Sequence, residues 1–279
     1  MNLDYIKDMD DNYWICVYQY NNDSYGYPVY MKDQNGDRLH PESGLKYRKC
    51  LEPYRKIPDR YQCIYHPKEC YMSQKDVLPD LWKKFIEALH IIGIQDSHLG
   101  IFGSTLCGFP IIKDVDFIIY GKDNLIRYYE NQLFVKAYMD ADYISTEHIE
   151  YQYNKYKHLY SPLMDLKYIL SNNWSGIQLR DGVLSTPRFI IDENMDIPEI
   201  TGNNEIIIGT IYNSLTSSCT PRIFSLSTNK GEYTVITPFW MLQSCVRDND
   251  KIKIFGKINH SKKIILLIDK EHYLQRIKK

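Results

Sequence analysis

Three styles of hydrophobic patterning follow one another along the chain. In residues 1–75 the apolar positions come in short aromatic and β-branched runs, Tyr13–Tyr20 and Tyr27–Met31. Such runs, bounded by turn signals, predict strands. The segment KDQNGD after the second run carries an Asn35-Gly36 turn signal, and Pro53, Pro58 and Pro67 then break the chain. From residue 76 the spacing changes. Leu78, Leu81, Trp82, Phe85, Leu89 and Ile92 recur at helical intervals, with Ser73 or Asp76 as cap and Gly93 as stop. A short apolar strand, Leu99–Phe102, leads into a Gly103-Ser104 turn. A second strand over Asp114–Tyr120 ends at Gly121, and Lys122–Ala137 reads as one amphipathic helix. Residues 146–172 are helical again, broken near Pro162. An Asp181-Gly182 hairpin signal then separates Gly176–Arg180 from Val183–Ile191.

From about residue 193 the pattern becomes a series of short strands: Ile206–Tyr212, Arg222–Leu226, Tyr233–Thr237, Lys251–Ile258 and Lys263–Ile268. Their number and spacing predict a small barrel or sandwich, and the alternation in Asn249–Lys257 resembles a strand of an oligonucleotide-binding (OB) fold. The fold class expected is therefore α+β. A β-rich segment over 1–75 precedes an α/β domain over 76–192, and a small OB-like β-barrel domain spans 193–279.

Composition narrows this picture. The chain has 279 residues, 44% hydrophobic and 25% charged, with a formal net charge of -1. That suits an ordinary globular protein of more than one domain. It excludes a global electrostatic pull toward nucleic acid and leaves room for a local basic face. The 25 tyrosines suit either half-buried strands or a base-stacking surface. Seven cysteines, odd in number and scattered, point to free thiols in the cytoplasm. Cys50, Cys63, His66 and Cys70 lie close in sequence but lack the paired spacing of a zinc site. The acidic start MNLDYIKDMDD does not read as a signal peptide, and no apolar run reaches the length of a membrane span, so no membrane partner is expected.

The candidate chemistry sits in Leu99–Tyr120, LGIFGSTLCGFPIIKDVDFIIY. Asp114 and Asp116 alternate with Val115 and Phe117, so in a strand both carboxylates project from one face. Two acids side by side on a buried strand repel each other and are costly to desolvate, and a divalent cation is the common remedy. Glycine at 103 lets a phosphate approach the backbone. The Ser104 hydroxyl and the free N–H groups of a short following helix can hold a triphosphate. Nine residues separate Ser104 from Asp114, enough to lead back to a neighbouring strand. Lys113, Lys122 and Arg127 read as solvated side chains.

Phe102, Gly103 and Ser104 followed at this distance by Asp114, Val115, Asp116 and Phe117 resemble the signature of the nucleotidyltransferase superfamily typified by DNA polymerase beta. The longer run GSTLCGFPIIKDVDFIIYGKDN is similar to a group of predicted archaeal nucleotidyltransferases with β-rich segments on both sides. The resemblance implies a central nucleotidyltransferase domain with a mixed sheet. Asp114 and Asp116 would be its catalytic metal ligands, with two Mg²⁺ ions as cofactor, and Gly103 and Ser104 would bind a nucleoside triphosphate. A nucleotidyl group would pass to a hydroxyl acceptor, RNA or DNA among the candidates. The superfamily usually has a third carboxylate on a later strand. The matching segment here, Thr186–Ile191, contains no acid. Asp181 in the preceding turn is the candidate for that role, and Arg188 is a candidate phosphate contact. The departure leaves an alternative open, a catalytically weak or inactive nucleotidyltransferase-fold module that binds RNA or DNA.

Overall fold

The computed structural model of the chain describes residues 4–20, 23–32, 38–39, 55–57, 59–106, 116–179, 184–191, 197–198, 201–239, 242–269 and 271–277. It divides into two compact units, Met1–Tyr143 with Ser175–Asp196, and Ile144–Trp174 with Ile197–Lys279. The architecture is mixed α+β, and the second unit contains a small closed barrel.

In the first unit, β1 (Tyr5–Asp8), β2 (Tyr13–Tyr20), β3 (Asp23–Lys32), β4 (Arg38–Leu39), β5 (Arg55–Lys56) and β6 (Tyr61–Tyr65) form an antiparallel sheet. Its order is β4-β3-β2-β1-β6, with β5 beside β3. The expected run Tyr13–Tyr20 is β2, and Tyr27–Met31 lies inside β3. The Asn35-Gly36 turn lies outside the described residues. Tyr5, Tyr13 and Ile15 share one sheet face and pack with Phe102, Leu106, Ile118, Tyr120 and Ile190. That apolar contact joins residues 1–75 to later segments of the chain, so they share one compact unit.

Helices α1 (Pro67–Gln74) and α2 (Asp80–Ile91) come next. Pro67 does not break the chain here. It begins α1, where its missing N–H has no intrahelical partner to lose. Ser73 lies inside α1 and Asp76 in a single 3-10 turn, so neither caps α2, which starts behind Pro79. Trp82, Phe85, Ile86, Ala88 and Leu89 form the buried face of α2. The Trp82 and Phe85 rings lie 4.9 and 5.3 Å from that of Phe117.

After α2 come β7 (Leu99–Ile101), α3 (Gly103–Leu106) and β8 (Phe117–Tyr120). Two helices, α4 (Lys122–Glu130) and α5 (Gln132–Met139), take the place of the single helix expected over Lys122–Ala137. The ladder stops at Asn131, whose side-chain amide donates back to the Arg127 carbonyl at 2.9 Å. β9 (Ala141–Asp142), β10 (Ile177–Leu179) and β11 (Leu184–Ser185) form a small antiparallel sheet; β10 and β11 pair as expected, but the expected second arm Val183–Ile191 is divided, and its residues Arg188–Ile190 join a different sheet. β12 (Arg188–Ile190) lies parallel to β8, and β7 lies antiparallel to it on the other side. This three-stranded mixed sheet is buried throughout β7 and β8.

In the second unit, α6 (Thr146–Tyr156) and α7 (Leu166–Ser171) precede β13 (Asn203–Tyr212), β14 (Arg222–Thr228), β15 (Gly231–Thr237), β16 (Lys251–Asn259), β17 (Ile264–Leu266) and β18 (Tyr273–Arg276). Five strands close in the order β13-β14-β15-β17-β16 and back to β13, and β18 pairs with the first half of the β16 edge whose end pairs with β17. The β15–β17 pairing is parallel and the others are antiparallel. Alternation explains the closure. In β16, Ile252, Ile254 and Ile258 point inward to meet Ile207, Ile211, Phe224, Leu226 and Val235. Leu166, Ile169 and Leu170 of α7 join the same core. The backbone N–H of Asp165 donates to the Leu274 carbonyl at 3.0 Å. Residues 144–174 therefore belong with the barrel, although the sequence pattern groups them with the central segment.

His272 is 1% exposed within this unit. Its Nδ1 accepts from the backbone amides of Ile268 and Asp269 at 3.0 and 3.2 Å, which assigns the proton to Nε2, 3.1 Å from Asn204 Oδ1. Burial holds its pKa below the ordinary 6.5, against the opposing charges of Asp269 and Glu271. Cys16, Cys219 and Cys245 are buried free thiols, pushed up by burial to about 11, 12 and 12. Among the described residues no helix is long and apolar enough to cross a membrane.

Candidate functional site

The site is built where β7 ends and β8 begins. The Phe102 N–H donates to the Asp116 carbonyl at 3.1 Å, continuing the β7–β8 ladder by one step. That step sets Gly103 against the Asp116 side chain. Gly103 has φ +73, and a Cβ built there would overlap Asp116 Oδ2 and lie 3.1 Å from its Cγ. Glycine is required twice, for the backbone angle and for the space that the carboxylate enters. The Gly103 N–H is already engaged. It donates to the Tyr5 hydroxyl at 2.9 Å, in a buried bond between residues 98 apart. Nothing local in the sequence signals this contact, since it depends on the N-terminal sheet packing over Phe102. Ser104 is the second residue of α3.

Asp116 stands immediately before β8, partly buried, while all four residues of β8 are buried. Asp114 and Val115 lie outside the described residues. The structure therefore brings Gly103 and Asp116 together, and of the expected acid pair it describes one member. The strand expected beside the acids is β12. Its register pairs Arg188 with Ile118, which shares a face with Asp116. Two residues back along the same register, Thr186 stands level with Asp116. The Arg188 guanidinium carbon lies 4.7 Å from the centroid of the Phe102 ring, next to Gly103. Beside Asp116, at the start of this strand and two residues before it, the chain thus presents a cation and a hydroxyl residue, and no carboxylate. Asp181, the candidate third acid, and its neighbour Gly182 lie outside the described residues.

Asp116 supplies a carboxylate oxygen, a hard donor of the kind divalent cations take, at a strand end, in space that any side chain at 103 would occupy. Among the described residues no group of three or more His, Cys, Asp or Glu side chains is assembled for a metal.

The lead into β7 is held by a polar knot. Asp96 accepts from the Tyr71 hydroxyl at 2.5 Å and from Lys75 Nζ at 2.8 Å, and it meets His90 Nε2 at 2.8 Å. It thereby ties α1, the 3-10 turn after it and α2 to the start of the strand. Burial raises the Asp96 pKa, but the hydrogen bonds from Lys75, Tyr71 and His90 outweigh burial and hold it at about 2. Comparison of the chain with protein-family models, curated proteins and solved structures finds no match in any of the three.

Proposed function

We propose that this chain is a Mg²⁺-dependent nucleotidyltransferase that moves a nucleotidyl group from a nucleoside triphosphate to a hydroxyl acceptor, with nucleic acid among the acceptors. The observation that carries the reading is the fit of Asp116 into the space left by Gly103. It links the glycine turn and the acid, which the sequence separates, in the way a nucleotide site needs. Asp116 and Asp114 would hold the metal, which when bound supplies charge neutralisation and Lewis acidity at the phosphates. The acceptor oxygen would bond to the α-phosphorus as the bond to pyrophosphate breaks, and the acceptor proton would be released. Arg188, on the Asp116 face of β12, is suited to phosphate charge. Asp181 is the remaining candidate to accept the proton. The barrel order of β13, β14, β15, β17 and β16 suits an OB-like domain.

One observation favours the second reading, a catalytically weak or inactive module that binds RNA or DNA. The residues on the β12 side of Asp116 are Thr186, two residues before the strand, and Arg188, its first residue, neither of them an acid. One experiment separates the two. The protein is incubated with Mg²⁺, each α-labelled nucleoside triphosphate, total RNA and total protein. Label is expected in one macromolecular fraction with stoichiometric pyrophosphate. Transfer is expected to fall about 100-fold or more in Asp114→Ala/Asp116→Ala, the scale seen when charge stabilisation at a reacting centre is removed. Gly103→Ala, which displaces Asp116, is expected to lose about 100-fold in rate. Undiminished labelling in the double variant overturns the enzyme reading.

A further inference from the structure

The outer face of the barrel over β13, β16 and β18 differs in composition from that over β14 and β15. The register gives it row by row. Asn204 faces Lys257, Ile206 faces Phe255, Ile208 faces Lys253, and Thr210 faces Lys251. Phe255 and Lys253 in turn face Tyr273 and Gln275 of β18. Ile206 and Ile208 are 54% and 46% exposed, and Tyr212 follows on the same face at 36%. The Phe255 and Tyr273 rings lie 5.6 Å apart, and Lys253 Nζ sits 5.7 Å from the centre of the Tyr273 ring. Three lysines, Lys251, Lys253 and Lys257, alternate along β16, and no acid is paired in these four rows, although the exposed Glu271, two residues before Tyr273, comes level with Lys257. Glu232, beside Tyr212, flanks the far end.

The outward positions of β14 and β15 differ. Ser225 faces Thr234, Ser227 faces Glu232, and Ile223 faces Ile236, so they offer neither lysine nor aromatic ring. An OB-like barrel usually presents its ligand surface on those two strands. Here the suitable chemistry lies on the opposite pairing.

We propose that the β13–β16–β18 face binds single-stranded nucleic acid. The lysines would meet successive phosphates, and Ile206, Ile208, Phe255 and Tyr212 would form the apolar platform under the bases. Lysines at i and i+2 of a strand stand about 6.8 Å apart, a spacing that suits phosphates along an extended backbone. A protein partner fits less well, because lysine is depleted at the centres of protein interfaces. The net charge of -1 makes this a local concentration of charge and not a property of the whole chain. The surface stands whether or not transfer occurs. If the catalytic reading holds, it names the acceptor class.

The test is fluorescence anisotropy on the full chain, without triphosphate, using labelled mixed-sequence RNA and DNA single strands of about 15 nucleotides. Binding is expected to weaken about twentyfold between about 50 and 200 mM salt, as three phosphate contacts on a single strand require. Lys251→Gln/Lys253→Gln/Lys257→Gln should cut the log–log salt slope by about 2. Ile206→Ser/Ile208→Ser should weaken binding about tenfold with the slope unchanged. Both sets of positions face outward, and unchanged thermal melting checks the fold. An unaltered slope in the lysine variant, or no oligonucleotide binding at low salt, overturns the proposal. So does sedimentation showing a dimer that Ile206→Ser/Ile208→Ser abolishes, which would assign the face to a second copy of the chain. Asp116→Asn should bind as the parent does. Loss of transfer with binding intact, or intact transfer without binding, separates this proposal from the catalytic one.

Discussion

The sheet of β7, β8 and β12 and the barrel of the second unit place their charged side chains by opposite rules. β8 is four residues long and buried on both faces. A charged group on such a strand has no solvated side to occupy, so its carboxylate, Asp116, stands at the end, where the ladder opens toward Gly103. β16 is nine residues long, with one face in the barrel core and the other outward. It can carry three lysines along its length without burying any of them. A strand covered on both sides has room for charged groups at its tip, and a strand covered on one side has room for them along a face.

The largest effect expected from breaking this rule is at Ile118, the next position on the Asp116 face and fully buried. Ile118→Asp should destabilise by about 4 kcal/mol or more, because an unpaired carboxylate would enter the core, and chemical denaturation should report it. A smaller effect is expected at the polar knot. Asp96→Asn should cost about 1–3 kcal/mol, since one hydrogen-bonded charge is lost from three donors. The parent chain carries the pH signature of this group. Its carboxylate is held at about 2 against an ordinary 3.8, so its contribution is complete above about 3.8 and is lost as pH falls toward 2. Asp96→Asn should lack that component of acid destabilisation. The buried imidazole of His272 adds a second one. Its folded pKa is depressed, so the unfolded chain takes up the proton first, and stability should decline as pH falls below about 6.5. The smallest effect is expected at Ile208, on the outward face of β13. Ile208→Asp should change stability by no more than about 0.5 kcal/mol in the same denaturation experiment while weakening oligonucleotide binding.

Much of the barrel is legible in the sequence because its strands alternate. The inward Ile252, Ile254 and Ile258 and the outward Lys251, Lys253 and Lys257 are visible in the bare sequence, and so are β2 and the hairpin of β10 and β11. β18 is not. Tyr273–Arg276 is too short to show a period, and its pairing with β16 is decided by the barrel edge. Pro67 is ambiguous because proline both breaks chains and begins helices, and only the residues after it decide between the two. The break between α4 and α5 carries neither glycine nor proline. In the site, the approach of Gly103 and Asp116 comes from two short apolar strands joined at workable spacing. The strand beside them is also legible, down to its lack of an acid. The buried bond between Tyr5 and Gly103 and the association of residues 144–174 with the barrel are hidden. Both depend on packing between segments far apart in the chain.

Pyrophosphate release measured against Mg²⁺ concentration, for the parent chain and for Asp116→Asn, tests the central claim most directly. The parent should release pyrophosphate in proportion to nucleotide incorporated, with saturable dependence on Mg²⁺. Asp116→Asn should fall by about 100-fold or more at every Mg²⁺ concentration, with its fold and its oligonucleotide binding preserved. Equal release by the two proteins, or release indifferent to Mg²⁺, would contradict the account.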